Sequence, residues 1–224
     1  MTGTMVVIGD TVLDRDVYGG VERLCPDAPV PVLDERQTDE RPGGAGLAAL
    51  LAARCGRAVV LVTALADDPA AARLAALLTA EGVSLHALTL DGPTPEKVRL
   101  RSGGRTLLRL DRGGEPARCG QPAAPALGAL ADADVILVSD YGRGVARQPA
   151  LRAAIAQARA PVVWDPHPRG PAPVAGARLA TPNEAEVRHL IGAAHDQDRL
   201  AAAIRGAREL RRRWRSGAVA VTMG

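Results

Sequence analysis

The amino-acid sequence predicts an α/β fold: a mostly parallel central sheet covered by helices on both faces, with a small β appendage. Three observations predict it. Short, uniformly apolar runs recur along the chain, as strands buried on both faces do. Helical segments with apolar periodicity separate these runs, and strand–helix alternation builds a parallel sheet. Two extended segments without a helical crossover interrupt the rhythm and account for the appendage.

In chain order, Met5-Val6-Val7-Ile8 is the first apolar run and ends in Gly9-Asp10. Residues 28–38 (APVPVLDERQT) read as an exposed, proline-interrupted strand. Arg41-Pro42-Gly43-Gly44-Ala45-Gly46 leads into a helix with Leu47, Leu50 and Leu51. Val59 to Thr63 is a second buried strand. Asp68-Pro69 supplies an N-cap and a first-turn proline to a helix whose apolar face is Leu74, Leu77 and Leu78, and Gly82 can end it. Residues 96–111 (EKVRLRSGGRTLLRLD) read as two strands joined at Ser102-Gly103-Gly104. Gly113 to Pro125 reads as loop. Val135 to Ser139 and Pro161 to Trp164 are buried strands flanking a helix with Leu151 and Ile155. Asn183, with Glu186 three residues later, makes a capping-box pattern before Val187, Leu190 and Ile191. A last helix carries Leu200, Ile204 and Leu210, and Ala218 to Thr222 is the last strand. The sequence has no internal repeat.

Composition narrows the function. The 224 residues fit one large domain, and 47% are hydrophobic, enough for a packed core. Aromatics are only 2%, with no Phe, so Ala, Leu, Val and Ile build the core and few rings remain to stack nucleic-acid bases. A net charge of +3 is too small to indicate a polyanionic partner. Cys25, Cys55 and Cys119 form no metal or disulfide pattern, which suits a reducing cytoplasm. Neither a signal peptide nor a membrane-length apolar stretch is expected. Lys97 is the only lysine among many arginines.

Ligands of open parallel sheets gather at the carboxyl ends of the strands. Asp14 lies just past the first such end, where a carboxylate accepts hydrogen bonds from sugar hydroxyls or simply forms a turn. Asp140, in Ser139-Asp140-Tyr141-Gly142-Arg143-Gly144, is placed similarly, and Asp165-Pro166-His167 follows another strand. Gly43 and Gly44 precede a helix and let backbone N–H groups approach a ligand. Gly44-x-Gly46-x-x-Ala49, with Asp67 about twenty residues on, also matches a relaxed dinucleotide fingerprint, although Arg36 to Arg41 before it is charged rather than an apolar strand. Lys97, Arg99 and Arg101 alternate and so share one strand face, where they bind a phosphate or keep an edge soluble.

Taken in order, GDTVLDRDVYG, APVPVLDERQTDERPGGAG, PTPEKVRLRSGGRTLLRLDR, SDYGRG and TPNEAE resemble the ribokinase-like (PfkB) carbohydrate kinases from about Met5 to Gly224. The resemblance is strongest to the heptose 7-phosphate kinase domain of bacterial ADP-heptose synthesis. It implies a three-layer ribokinase-like fold in one incomplete domain, 1–224, with lid segments near 21–42 and 92–112 over the sugar. It implies ATP and Mg2+ as cofactors and a small sugar phosphate as substrate. Asp14, Gly43, Gly44 and Asp140 resemble sugar-binding positions, and Lys97 and Arg99 would hold the sugar's phosphate. Asn183 and Glu186 match the motif that organises magnesium, water and the ATP phosphates, Glu186 acting on the metal through water.

The chain departs from the family pattern in three ways. Leu47 stands where an Asn usually follows the glycine pair, and Arg143 and His167 stand where related kinases often have lysines. The family's Gly-Ala-Gly-Asp motif, which supplies an anion hole and the catalytic Asp, does not occur in the sequence. The base is therefore expected beyond Gly224, and residues 1–224 are expected to be a C-terminally truncated kinase, inactive alone. The expected parent reaction transfers the ATP γ-phosphate to a sugar hydroxyl, O1 of a heptose 7-phosphate. One alternative is a non-catalytic sugar-phosphate-binding remnant or a fragment completed by another chain. Another is a dinucleotide-binding oxidoreductase. Neither nucleic acid nor membrane is an expected partner; a homodimer through the β lid is an expected assembly.

Overall fold

The computed structural model describes residues 3–113, 117–192 and 198–224. Its strands are β1 (Thr4–Gly9), β2 (Thr11–Leu24), β3 (Pro31–Gly44), β4 (Ala58–Leu65), β5 (Ser84–Thr89), β6 (Glu96–Ser102), β7 (Arg105–Arg112), β8 (Val135–Ser139), β9 (Val162–Asp165), β10 (Leu179–Ala180) and β11 (Ala218–Val219). Its helices are α1 (Ala45–Arg54), α2 (Pro69–Ala80), α3 (Ala124–Ala131), α4 (Pro149–Gln157), α5 (Glu184–Ile191) and α6 (Arg199–Trp214).

Seven strands form an all-parallel sheet in the order β11-β10-β9-β8-β1-β4-β5. Alternate side chains of each strand enter opposite layers. Val6, Ile8, Ile136 and Val138 pack against Ala126 and Leu130 of α3 and Leu151 and Ile155 of α4. Val7, Val59 and Leu61 pack on the other face against Ala45 and Ala49 of α1 and Leu78 of α2. Burial on both faces is why these strands are uniformly apolar. The chain runs outward from β1 to β4 and β5, then returns to place β8 on the other side of β1. Such a reversal opens a crevice at the carboxyl ends of the two strands that flank it. Gly9 is in register with Ser139, so Asp10 and Asp140 leave the sheet side by side.

Four strands form a second, mixed sheet in the order β3-β2-β6-β7, the lid. Leu13 anchors it to the body by packing on Leu65, Ala70, Ala71 and Leu74. Because side chains alternate, Asp14 and Asp16 point to the opposite face, in register with Lys97 and Arg99 of β6.

Several elements differ from the sequence reading. β2 is a 14-residue strand although it contains three aspartate and glutamate residues and a Gly-Gly pair, which disfavour strands; pairing with β3 and β6 on its two sides overrides local preference. Arg36 to Arg41 is also strand, as part of β3, because its charged side chains belong to an exposed lid rather than a core. β5 and β10 are too short and mixed to have shown themselves. Within the loop-like stretch, residues 114–116 lie outside the described residues, and Ala124–Ala131 is α3. In α6 the buried face is Ala203, Gly206, Leu210 and Trp214, whereas Leu200 and Ile204 are 61% and 43% exposed. Regular pairing of the last strand stops at Val219, with Thr222 making only an isolated bridge to Asn183.

Candidate active site

A cavity of about 600 Å3 opens at the carboxyl ends of β8, β9 and β10, beside the start of α1, on the side of the sheet where its strand order predicts a ligand crevice. Gly44, Asp140, Asn183 and Glu186 all line it. Asp14, Gly43, Lys97 and Arg99 belong instead to the lid sheet. The sequence candidates therefore fall into two groups, a cavity floor and a lid face.

The floor is organised by Asp10. One carboxylate oxygen accepts from the backbone N–H groups of Tyr141 (3.1 Å) and Arg143 (3.0 Å), the other from Val145 (3.1 Å). Asp10 thus ties the end of β1 to the loop after β8. Gly44 fits here because its backbone has φ 61°, and a Cβ would lie 2.3 Å from the Asp10 carbonyl oxygen. Asp140 is buried; one oxygen accepts from the Gly142 N–H at 2.7 Å, and the backbone of Gly170 crowds the other. Burial pushes its carboxyl up to about 7. Its side chain thus braces the loops around the cavity. His167 is packed against Gly142, and burial lowers its pKa, favouring the neutral ring. Arg143 donates to the Gly113 carbonyl, linking the floor to the end of β7.

On the far wall, Asn183 caps α5. Its side chain accepts from the Glu186 N–H at 2.9 Å, and Glu186 Oε2 accepts from the Asn183 N–H at 2.8 Å. The capping box is real, and it leaves Glu186 Oε1 available beside the cavity. Burial raises the Glu186 pKa, with the charge of Asp165 adding to it. Burial also raises that of Asp165, which accepts from Thr181 Oγ1 at 3.0 Å.

The lid face carries a charge network. Asp14 bonds Arg99 at 3.0 Å, and Gly43 makes room for it, since a Cβ there would lie 2.4 Å from the carboxylate. Asp16 is buried and meets Arg41 at 2.5 Å, Arg99 at 3.7 Å and Arg101 at 3.9 Å. Arg99 is thus committed to two aspartates. Lys97 makes no hydrogen bond or ion pair with the described residues and feels Asp111 only through space. Asp14 abuts Gly43, whose chain neighbour Gly44 lines the cavity, so this face adjoins it.

The family model described as pfkB family carbohydrate kinase matches residues 3–224. The chain belongs to the pfkB carbohydrate kinase family. Among curated pfkB-related proteins, it is similar to the bifunctional protein HldE of Streptomyces coelicolor, 50% identical over 224 residues, which span 98% of the chain and 46% of that protein. It is 38% identical to the HldE of Pseudomonas fluorescens, with the same two coverages. The chain thus spans about half the length of the curated relatives it matches. Its fold is that of Escherichia coli phosphofructokinase-2 (TM-score 0.71, 14% identity, all of this chain and 74% of that one). It is also that of an Arabidopsis thaliana ribokinase solved with ribose and ATP (TM-score 0.67, 18% identity, all of this chain and 73% of that one). Membership removes the oxidoreductase alternative, and the topology agrees: the strand before Gly44 belongs to the lid, not to the βαβ unit that a dinucleotide fingerprint requires.

Asp10, Asp16 and Asp165 went unassigned in the sequence reading. Asp10 stood in the Gly-Asp end of the first strand, and Asp16 shares the period-two spacing of Asp14. Their partners are 16 to 135 residues away, so only the fold could reveal them.

Proposed function

We propose that the chain is the sugar-phosphate side of an ATP-dependent kinase acting in the cytoplasm, whose acceptor is a sugar already carrying a phosphate, as in a heptose 7-phosphate phosphorylated on O1. The observation that carries this reading is the pairing of an acidic, hydrogen-bonding cavity with a lid face whose lysine has no partner among the described residues. In this reading Asp14 and the backbone around Gly43 and Gly44 receive the sugar hydroxyls, and Lys97 meets the existing phosphate. Arg99, held by Asp14 and Asp16, positions Asp14 more than it binds phosphate. Asp140 supports the sugar site from behind by bracing the Tyr141–Arg143 loop.

Glu186 and Asp165, two partly buried carboxylates on one wall, fit Mg2+, which takes one or two carboxylates and keeps several waters. Glu186 through Oε1 and water, with Asn183 fixing its position, would hold the ion. Bound there with ATP, the ion would neutralise the charge of the phosphates. The residues of this chain bind and orient; no Gly-Ala-Gly-Asp base is among them. We therefore expect residues 1–224 alone to bind the sugar phosphate without turning over ATP. Robust heptose 7-phosphate-dependent ADP release would reverse that expectation.

The charge of Lys97 provides the direct test. A partly desolvated phosphate contact is worth about 1.5–3 kcal/mol, or roughly 10- to 150-fold in affinity. Lys97→Ala should weaken calorimetric binding of heptose 7-phosphate by that factor and leave the unphosphorylated heptose unchanged. Equal effects on both sugars would remove Lys97 from the site.

A further inference from the structure

α1 reads AGLAALLAAR, so its first nine residues present no polar side chain on any face. Ala45, Ala49 and Leu50 are buried beneath it. Its other side turns Leu47, Ala48 and Leu51 into the cavity, with Leu47 36% and Leu51 53% exposed. Leu47 and Leu51 stand one turn apart and are neighbours on the helix surface, so they form a continuous hydrocarbon wall, extended by Leu137 of β8. The N-cap Gly44 offers no side-chain hydrogen bond, and the first turn holds no acidic residue. The facing wall is the opposite in character: Asp165, Thr181, Asn183 and Glu186.

A polypeptide segment filling this space would match the leucines and strand the carboxylates. A sugar held through its hydroxyls by Asp14 and the Gly43–Gly44 backbone turns a carbon–hydrogen face to the leucines beside Gly44 and leaves the carboxylate wall to Mg-ATP. The lid above adds Lys97, unpartnered among the described residues, which favours an anionic sugar. We propose that Leu47 is a specificity-determining residue of the acceptor subsite and selects a sugar phosphate with no hydroxyl on the carbon that faces α1. The inference rests on the sugar-phosphate kinase reading and narrows it: the acceptor departs from a fully hydroxylated heptose at one carbon. A hydroxyl pressed on this wall loses water and finds no side-chain partner. Apolar pockets reject an added hydroxyl by up to about 100-fold, so a preference of about 10- to 100-fold is expected.

Calorimetric titration of the 224-residue chain with glucose 6-phosphate and its single-deoxy analogues tests this. Wild type should bind one deoxy analogue about 10- to 100-fold more tightly than the parent. Leu47→Asn should erase or invert that preference, and Leu47→Gln, which keeps a good helix former, should do the same if the Asn variant folds poorly. Equal binding of parent and all analogues by wild type, or an unchanged ratio in the variants, overturns the inference and leaves the kinase reading intact. Variants that shift oligomeric state or melting while keeping the ligand ratio would show that polypeptide covers the wall, which also overturns it. Failure of heptose 7-phosphate as well as all of these hexose phosphates to bind removes the kinase reading and this inference together.

Discussion

Asp140 lines the cavity with a buried carboxylate. It is held by the Gly142 N–H, crowded by Gly170 and pushed up to about 7 by burial. In an unfolded chain an Asp titrates near about 3.9. Between those values the folded state retains a proton that the unfolded state has released, so folding stability declines as pH rises from about 4 to about 7 and then levels. Denaturant unfolding at about pH 5 and about pH 8 should reveal a loss on the order of 2–3 kcal/mol in the wild type. Asp140→Asn, which cannot ionise, should show a smaller slope. Identical pH dependence in the two proteins would mean that this carboxyl ionises normally despite its burial. Asp10, by contrast, spends its carboxylate on three backbone amides and acts as a fixed strut between β1 and β8.

At the scale of the element, the start of α5 does two jobs with one pair of side chains. The capping box holds the helix, and the same Glu186 faces the cavity. Substitution separates the jobs. Asn183→Ala removes an N-cap and should cost about 1 kcal/mol of stability. Glu186→Gln keeps an oxygen for the Asn183 N–H and should melt within about 0.5 kcal/mol of wild type. It loses the charge, however, so if Glu186 organises magnesium the Gln variant should bind Mg-ATP at least about tenfold more weakly, with little change for ATP in EDTA. A Glu186→Gln protein that binds Mg-ATP as well as wild type would leave only the cap. α1 illustrates the complementary case, a helix apolar on every side whose exposed wall belongs to the cavity rather than to a core.

For the whole molecule, the lid presents an exposed sheet edge. β7 is the outer strand of its sheet, and all eight of its residues are exposed, including Leu107, Leu108 and Leu110. An unpaired edge of this kind is a template for another strand. We expect two lids to pair through β7 into a homodimer. Sedimentation velocity should find a dimer at micromolar concentration, and Leu108→Lys should return it to monomer. A wild-type monomer across that range would end the idea. No helix among the described residues is long and apolar enough to cross a membrane.

The sequence by itself determined the parallel α/β body, because strands buried on both faces must be uniformly apolar and such runs are visible without neighbours. It also determined the capping box of α5 and the N-cap of α2, where Asp68 accepts from the Ala71 N–H at 2.8 Å, since both are closed within three residues. The need for glycine at 43 and 44 was legible as close backbone approach, but the groups that approach are the Asp14 carboxylate and the Asp10 carbonyl, which only the fold brings there. Only the tertiary structure decided β2, whose charged and glycine-rich sequence is held extended by strands on either side. It also decided which face of α6 is buried, because the packing partner Val187 lies on another helix, where Gly206 has room only for hydrogen. The division of the site into floor and lid, the pairing of Arg99 with Asp14, and the strut at Asp10 depend on residues far apart in the chain. Local patterning carries information over one turn of helix or one strand; contacts across 85 or 135 residues arise only when the chain has folded around its core.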